Sequence, residues 1–386
     1  MGNNIVDIDW ACRLLARVLA PNNTQSSAGT DADYRMIDTL SVDNFKCFKK
    51  LRLSDLRRFN IIVGRNAGGK TALLEALFLL ASANPQNVLT IRAFRGMGTE
   101  IQVGNERAGF EALWRDLFLG FDPTTTIEIV ATGSEKNSRS LRVSYSDSEN
   151  VTLPFGTHST DTVVPTAAIN FRWSRDDGDV LHIQSALTPQ GLRVGPAAPP
   201  AFPAIFLTPV CREPASDNAQ RFSDLSKVGH QQPIVDALTH ACPFITDLSV
   251  ELHAGIAMVH ATLRSLAEKV PVPLISDGVN KLLSILLAIQ GLAHGIVLID
   301  EMEHGLSFDI MTHVSGSMLK CAKDAQTQIF VTTHSMEYLK ALCPLVKSDP
   351  SEFCLLRTTQ DNGSCDIDQF DGAHFAAALE EGFEIR

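Results

Sequence analysis

The sequence lacks the patterns that identify several common classes of protein. None of its eight cysteines forms a Cys-x-x-Cys pair, and no histidine follows at metal-ligand spacing, so we expect reduced thiols rather than a zinc module. There is no His-Glu-x-x-His segment, no nucleophile elbow and no heptad run spanning several repeats. The 386 residues therefore do not indicate a zinc peptidase, a serine hydrolase or a long coiled coil.

Charge and hydropathy argue against three further properties: attraction of nucleic acid by the chain as a whole, a signal peptide and a membrane span. The net charge is −11, so the chain as a whole does not attract nucleic acid. The apolar stretch 5–20 contains four charged residues, which excludes a signal peptide. The apolar run 282–299 is interrupted by polar residues and glycines, and it predicts a helix followed by a buried strand rather than a membrane span. We expect a cytoplasmic protein with no membrane contact.

One segment indicates what the protein binds. Residues 64–71 read Gly-Arg-Asn-Ala-Gly-Gly-Lys-Thr and match the phosphate-binding loop G-x-x-x-x-G-K-[ST] between an apolar strand, 59–63, and a predicted helix. Glycines let backbone N–H groups turn toward phosphates, and the helix N-terminus adds its dipole. Lys70 would place a charge on the β- and γ-phosphates of ATP, and the Thr71 hydroxyl would bind Mg²⁺. The predicted ATP ligands of the loop are Gly64, Asn66, Gly68, Gly69, Lys70 and Thr71.

Two later apolar strands end in the residues that such a loop requires. Residues 296–299 are followed by Asp300, predicted to hold Mg²⁺, and Glu301, predicted to polarise the attacking water. A second apolar strand ends at His334, which would lie at the same sheet edge and sense the γ-phosphate. We predict Mg²⁺-dependent ATP hydrolysis, with Glu301 and His334 as the catalytic residues.

The order of these motifs resembles the ATP-binding cassette (ABC) type of ATPase, in the branch shared by SMC, Rad50 and RecF proteins. Within it the chain is most similar to the overcoming-lysogenization-defect (OLD) nucleases and related stand-alone ATPases. The likeness rests on residues 40–48, 64–77, 300–307 and 332–335. It implies an α/β fold: a phosphate-loop head with a mixed central sheet, an antiparallel β subdomain and a helical insertion.

The resemblance also implies a site shared between two copies of the chain. Residues 274–279 correspond to the family's signature segment, in which Ser276 and Gly278 would reach the ATP of the opposite copy. The segment departs from the transporter consensus, and a plain helix N-cap is the alternative for Ser276. Lys46 matches a basic residue near the phosphates in the Rad50-like branch, with a solvated lysine as the alternative. We find no match to the family's Q-loop glutamine.

The expected domain organisation follows. Residues 1–35 would be an extension, an amphipathic helix over 5–20 plus a linker, unless the true start is Met36. Residues 36–386 would form the head, with a helical insertion at about 84–121 and a variable β/α lobe at about 122–264.

Two patterns fill in that head. Predicted strands at 126–131, 139–145, 168–173 and 180–185 indicate an antiparallel sheet, and the last 120 or so residues indicate a parallel one. Only 41 residues follow Leu345, so we expect no nuclease domain there and interpret Asp366-Ile367-Asp368 as an exposed turn.

Stand-alone ATPases of this kind pair with separately encoded nucleases in anti-phage systems such as PARIS and Septu. The resemblance therefore implies a homodimer or higher homo-oligomer that responds to a phage protein and controls a Toprim- or HNH-like nuclease. The alternative is a RecF-like DNA repair ATPase that binds DNA through a local basic cluster. That cluster consists of Lys46, Lys49, Lys50, Arg52, Arg57 and Arg58. A transporter subunit is a third alternative, against which the departure from the transporter signature argues.

Overall fold

The protein is described from a computed structural model of the whole chain. The described residues are 5–7, 36–81, 84–97, 100–102, 107–133, 138–146, 167–175, 178–188, 191–195, 202–209, 214–361 and 363–381. The chain divides into two compact units. The first comprises Met1–Asp55, Thr71–Phe202 and Thr359–Ile367, and the second comprises Leu56–Lys70, Pro203–Thr358 and Asp368–Arg386.

The described residues form strands and helices in both units. The strands are β1 (Ile5–Asp7), β2 (Ile37–Phe45), β3 (Phe48–Leu53), β4 (Phe59–Gly64), β5 (Glu100–Gln102), β6 (Ile127–Gly133), β7 (Ser138–Ser146), β8 (Ala167–Arg175), β9 (Val180–Thr188), β10 (Gly191–Val194), β11 (Ala204–Leu207), β12 (Ile245–His253), β13 (Ile256–Leu263), β14 (Val270–Pro271), β15 (Ile296–Ile299), β16 (Gln328–Thr332), β17 (Phe353–Asp361) and β18 (Ser364–Asp371). The α-helices are α1 (Lys70–Ala81), α2 (Gln86–Phe94), α3 (Arg107–Trp114), α4 (Ala215–Lys227), α5 (Gln232–Ala241), α6 (Asp277–Gly291), α7 (Phe308–Ala325), α8 (Met336–Ser348) and α9 (Gly372–Glu380).

The first unit contains a seven-stranded antiparallel sheet of order β10-β9-β8-β7-β6-β2-β3. Its strands alternate between buried apolar and more exposed polar residues, as in β6, where Ile127 and Ile129 are buried and Glu128 is partly exposed. One contact of the buried face is to α1: the indole N–H of Trp173 donates to the carbonyl of Leu79 at 3.3 Å. The predicted antiparallel sheet is confirmed.

The described residues of the predicted helical insertion include two α-helices, together with one strand that was not predicted. The helices are α2 and α3, and β5 lies between them and pairs antiparallel with β1. The predicted helix over 5–20 is therefore wrong at its first residues, because Ile5–Asp7 obtain backbone partners from a segment about 95 residues away. Residues 8–20 lie outside the described part of the chain.

The second unit is built on a six-stranded sheet of order β11-β15-β16-β4-β17-β18. The first five strands pair in parallel, and their apolar runs are buried on both faces, as helix-covered parallel sheets require. Only two residues separate β17 from β18, which is too few for a parallel crossover, so β18 runs antiparallel. The predicted α/β class and mixed central sheet are confirmed.

The remaining elements of the second unit agree with most of the local predictions. β12 and β13 pair antiparallel as a hairpin, and α6 followed by β15 is the helix and buried strand expected from the run 282–299. No helix in the described ranges is both long and apolar enough to span a membrane.

The Asp366-Ile367-Asp368 segment lies in β18, not in an exposed turn. The two carboxylates are exposed and Ile367 is buried, and Asp368 accepts a hydrogen bond from Arg357 of β17 at 2.8 Å. The prediction of a turn was wrong because the segment follows the period of two that a strand requires, with its apolar residue inward.

A buried carboxylate anchors α1 within the first unit. Glu75 is 1% exposed and accepts hydrogen bonds from Lys46 and from both Nε and a terminal nitrogen of Arg95, the latter two at 2.6 and 2.9 Å. Burial lowers the pKa of Lys46, and the charge of Glu75 opposes that effect. Two cations therefore depend on one carboxylate.

We predict that Glu75→Gln lowers the free energy of unfolding by about 3 kcal/mol, because it leaves Lys46 buried without its counter-ion. Urea denaturation measures this. Glu128→Gln is the matched control: its partner Arg142 is exposed, and we expect a loss below about 1 kcal/mol. An equal urea midpoint for both variants would show that the buried pair does not stabilise the unit.

Candidate functional site

The predicted phosphate loop directly follows the central strand β4. The ammonium of Lys70 is buried and donates to the carbonyls of Gly64 and Arg65, each at 2.8 Å. Burial lowers the pKa of Lys70, and the charges of Asp300, Glu303 and Glu301 raise it. The second unit therefore brings the loop lysine close to the acidic segment that the sequence predicted as its partner.

Gly64 is required by both backbone conformation and space. Its φ is +139°, and a Cβ at this position would lie 2.1 Å from Oγ1 of Thr358. Thr358 belongs to the neighbouring strand β17, and its hydroxyl donates to the carbonyl of Val63 at 3.1 Å. Sequence reasoning missed Thr358 because no local pattern marks it.

The acidic segment is held by one threonine hydroxyl. Thr332, at the end of β16, donates to Oδ1 of Asp300 at 2.5 Å, and its Oγ1 accepts from the backbone N–H of Glu301 at 2.9 Å. Glu301 has a φ of +50°, a left-handed conformation that is unfavourable for a residue with a side chain. This pair of hydrogen bonds fixes the two acids relative to the neighbouring strand.

Glu303 joins the acidic segment to the histidine loop. One carboxylate oxygen accepts from the hydroxyl of Thr333 and the other from the backbone N–H of His334, both at 2.7 Å. Sequence reasoning did not assign Glu303 a role, although it stands two residues after Glu301 in the same motif. Its position in that acidic run was the available signal.

The signature segment begins a helix, as the N-cap alternative predicted. Oγ of Ser276 accepts from the N–H of Val279 at 3.1 Å. A Cβ on Gly278 would lie 2.3 Å from the carbonyl oxygen of Gly305, so only glycine allows the helix to approach the segment after Glu303. The role of Ser276 and Gly278 toward a second copy stays a prediction.

Lys281 makes the other contact between these two segments, and the sequence analysis did not single it out. Its ammonium donates to the carbonyls of Glu301, Met302 and His304 at 2.8, 3.2 and 2.9 Å. Burial lowers the pKa of Lys281 to about 8, although Glu303, Glu301 and Asp300 favour the charged form.

Two predicted site residues, Lys46 and Thr71, lie in the first unit, and their roles toward ATP and Mg²⁺ stay predictions. The solvated-lysine alternative for Lys46 is wrong, because its side chain is only 13% exposed and ion-paired with Glu75. The second unit holds the other predicted residues, among which Lys70, Asp300 and Glu301 are linked by the charges described above.

Comparison with known proteins identifies the activity. A family model described as "AAA ATPase domain" matches residues 36–198, and one described as "AAA domain, putative AbiEii toxin, Type IV TA system" matches residues 213–340. A protein from Helicobacter pylori named ATP/GTP phosphatase is 24% identical over 364 residues, which cover 84% of this chain and 94% of that protein. The chain is an ATPase. Its phosphate loop lies within the first matched range, and Asp300, Glu301 and His334 lie within the second.

Two further similarities of this ATPase are weaker. The DNA replication and repair protein RecF of Idiomarina loihiensis is 35% identical over 79 residues, 20% of either chain. The structure of an SMC head bound to the C-winged helix domain of ScpA covers 90% of this chain and 99% of that one, at 12% identity and a TM-score of 0.47.

We predict that Gly64→Ala abolishes ATP binding, because the added methyl would collide with Thr358 and shift the loop carbonyls that hold Lys70. Binding is measured by titration with a fluorescent ATP analogue. Gly229→Ala is the control: its φ is also positive, at +74°, but nothing lies within 4 Å of the added Cβ. It should cost about 1 kcal/mol of stability and leave binding intact. Unchanged affinity in Gly64→Ala would contradict the steric argument.

Proposed function

We propose that this ATPase is a nucleotide-driven switch of the ABC type, in which two copies close around two ATP molecules and open after hydrolysis. Lys70 and the loop hold the phosphates in one copy, and Ser276 and Gly278 approach them from the other. Glu301 positions the attacking water, and His334 senses the γ-phosphate.

The observation that carries this proposal is the Glu303 carboxylate. By accepting from Thr333 and from the N–H of His334, it ties the histidine loop to the segment that begins with Glu301. A displacement of His334 by the γ-phosphate is thereby passed to the segment that also contacts the signature helix at Gly278. Such a link is what a switch requires, because the state of the nucleotide must reach the surface that meets the second copy.

Mg²⁺ fits the donor atoms that the sequence assigns to it. Asp300 offers a carboxylate, and oxygen donors are those that Mg²⁺ prefers, while the role of the Thr71 hydroxyl stays a prediction. Oδ1 of Asp300 is oriented by the hydroxyl of Thr332 at 2.5 Å. When bound, the metal would neutralise charge that develops on the phosphates.

We predict that Glu301→Gln binds ATP but hydrolyses it at least 100-fold more slowly, because an amide cannot accept the proton of the attacking water. ATP should then hold the variant as a dimer, measured by sedimentation. Lys70→Ala is the comparison: it should lose ATP binding and remain unassociated. Turnover of Glu301→Gln at the wild-type rate would contradict the assignment of the base.

We infer that the switch controls a separately encoded effector, a Toprim- or HNH-like nuclease, in bacterial anti-phage defence, with a phage protein as the trigger. The support is the motif resemblance, together with the description of the family that matches 213–340, which names a toxin of a type IV TA system. That description favours a role in such a system over one in metabolism.

We predict that the protein co-purifies with the product of a neighbouring gene and that Lys70→Ala abolishes phage resistance in cells carrying both genes. Affinity purification and plaque counts measure the two outcomes. Lys323→Met serves as the control variant, since that lysine lies on α7 and pairs with Asp349 and Glu352. Absence of a co-purifying partner, with full resistance in Lys70→Ala, would contradict the proposal.

The RecF-like alternative is supported by the short RecF similarity, but its proposed DNA-binding cluster is partly neutralised. Lys46 pairs with Glu75, Arg52 with Asp43 at 2.7 Å, and Arg58 with Glu352 at 3.1 Å. Half of the six cations thus already have carboxylate partners. Duplex DNA that stimulates ATP hydrolysis in a salt-dependent manner would favour this alternative.

A further inference from the structure

The ammonium of Lys281 donates its hydrogen bonds to backbone carbonyls. Its three N–H groups match three acceptors, the carbonyl oxygens of Glu301, Met302 and His304, at 2.8–3.2 Å. Carbonyls are neutral, so this arrangement is not an ion pair. It fixes the course of four consecutive residues, 301–304, around one cation.

Residues 301–304 would not adopt this backbone conformation without the contacts that hold it. Glu301 has a left-handed backbone conformation, with a φ of +50°, which is unfavourable for a residue with a Cβ. The hydroxyl of Thr332 fixes the N–H side of Glu301, and Lys281 fixes its carbonyl side. With both sides of the residue held, its Cα–Cβ bond has a set direction, which limits the region that the carboxylate can reach through its side-chain rotamers.

Burying an ammonium is costly, and the surroundings offset only part of that cost. Asp300, Glu301 and Glu303 face Lys281 from the acidic segment, and Asp277 and His304 line the same cavity. The burial nevertheless lowers the pKa of Lys281. Because burial of this ammonium is unfavourable, its presence here indicates that Lys281 has a specific role.

Lys281 also connects two predicted parts of the site. It lies one turn after Gly278 on α6, the helix that Ser276 caps, and Gly278 contacts Gly305 just beyond the three carbonyls. The first turns of the signature helix and residues 301–305 are thus joined at two points, one by direct backbone approach and one through the ammonium.

We propose that Lys281 is a positioning residue for hydrolysis, which fixes the backbone from which the Glu301 carboxylate extends and couples that backbone to the signature helix. This inference rests on the proposed function, in which Glu301 positions the attacking water. When the signature segment of one copy engages ATP on the second copy, α6 carries that engagement through Lys281 to the Glu301 of its own copy. The nucleotide bound at one site thereby affects the position of Glu301 at the other site.

The test is Lys281→Met, which keeps the length and packing of the side chain and removes the three donors. We expect kcat to fall about 100-fold, since a displacement near 1 Å of a catalytic group has that effect, while KM for ATP and ATP-dependent dimerisation stay unchanged. Lys281→Arg should recover most of the loss, because a guanidinium also donates to several carbonyls. Lys323→Met, a paired lysine of α7, should behave as wild type.

The outcomes separate this inference from the proposed function. Wild-type kcat in Lys281→Met, or a loss of ATP binding with no recovery in Lys281→Arg, overturns the positioning role, while the inactivity of Glu301→Gln would still uphold the switch. Full turnover in Glu301→Gln would overturn both. If Lys281→Met does not fold, Lys281→Gln is measured instead, and the inference requires a lowered kcat at an unchanged KM.

Discussion

The candidate site depends on the parallel pairing of β4 with β16 on one side and β17 on the other. Parallel strands place their carboxyl ends at one edge of a sheet, so the phosphate loop after β4 and the histidine loop after β16 emerge together. β15, the next strand outward, adds Asp300 and Glu301 at the same edge. Without these pairings the motifs would be separate segments, dispersed over more than 270 residues of chain.

Two buried ammonium groups then organise that edge in the same chemical manner. Lys70 and Lys281 both donate to backbone carbonyls, and burial lowers the pKa of both despite three nearby carboxylates. Each ammonium group thus loses its hydration and gains hydrogen bonds to backbone carbonyls, and these bonds fix the conformation of the loop that supplies the carbonyls. Threonine hydroxyls complete the arrangement, because Thr332 and Thr358 join the ends of neighbouring strands to the acidic segment and to β4.

The sequence was informative where function and structure are local. Apolar runs that end in particular polar residues indicated the phosphate loop, the acidic strand and the histidine strand. The alternation of apolar and polar residues in β6–β9 predicted the antiparallel sheet. What it did not reveal depends on contacts between distant residues. Thr358 is opposed to Gly64 only after folding, Lys281 lies in an ordinary helical pattern, and Ile5–Asp7 form a strand only because Glu100–Gln102 pair with them. The turn predicted at 366–368 failed because two acidic residues were weighed above the buried isoleucine between them.

The long sequence separation between β17 and its partner strand β4 has a consequence for the synthesis of the protein. The hydroxyl of Thr358 and the carbonyl that it binds, that of Val63, are separated by 295 positions. A ribosome that adds roughly 5–20 residues per second needs about 15–60 seconds to travel that distance. For most of this interval neither of the strands that flank β4 has been synthesised, because β16 begins only at Gln328 and β17 at Phe353. This edge of the sheet can therefore form only after β16 and β17 have both been synthesised, and until then β4 is an exposed apolar segment of the kind that chaperones shield.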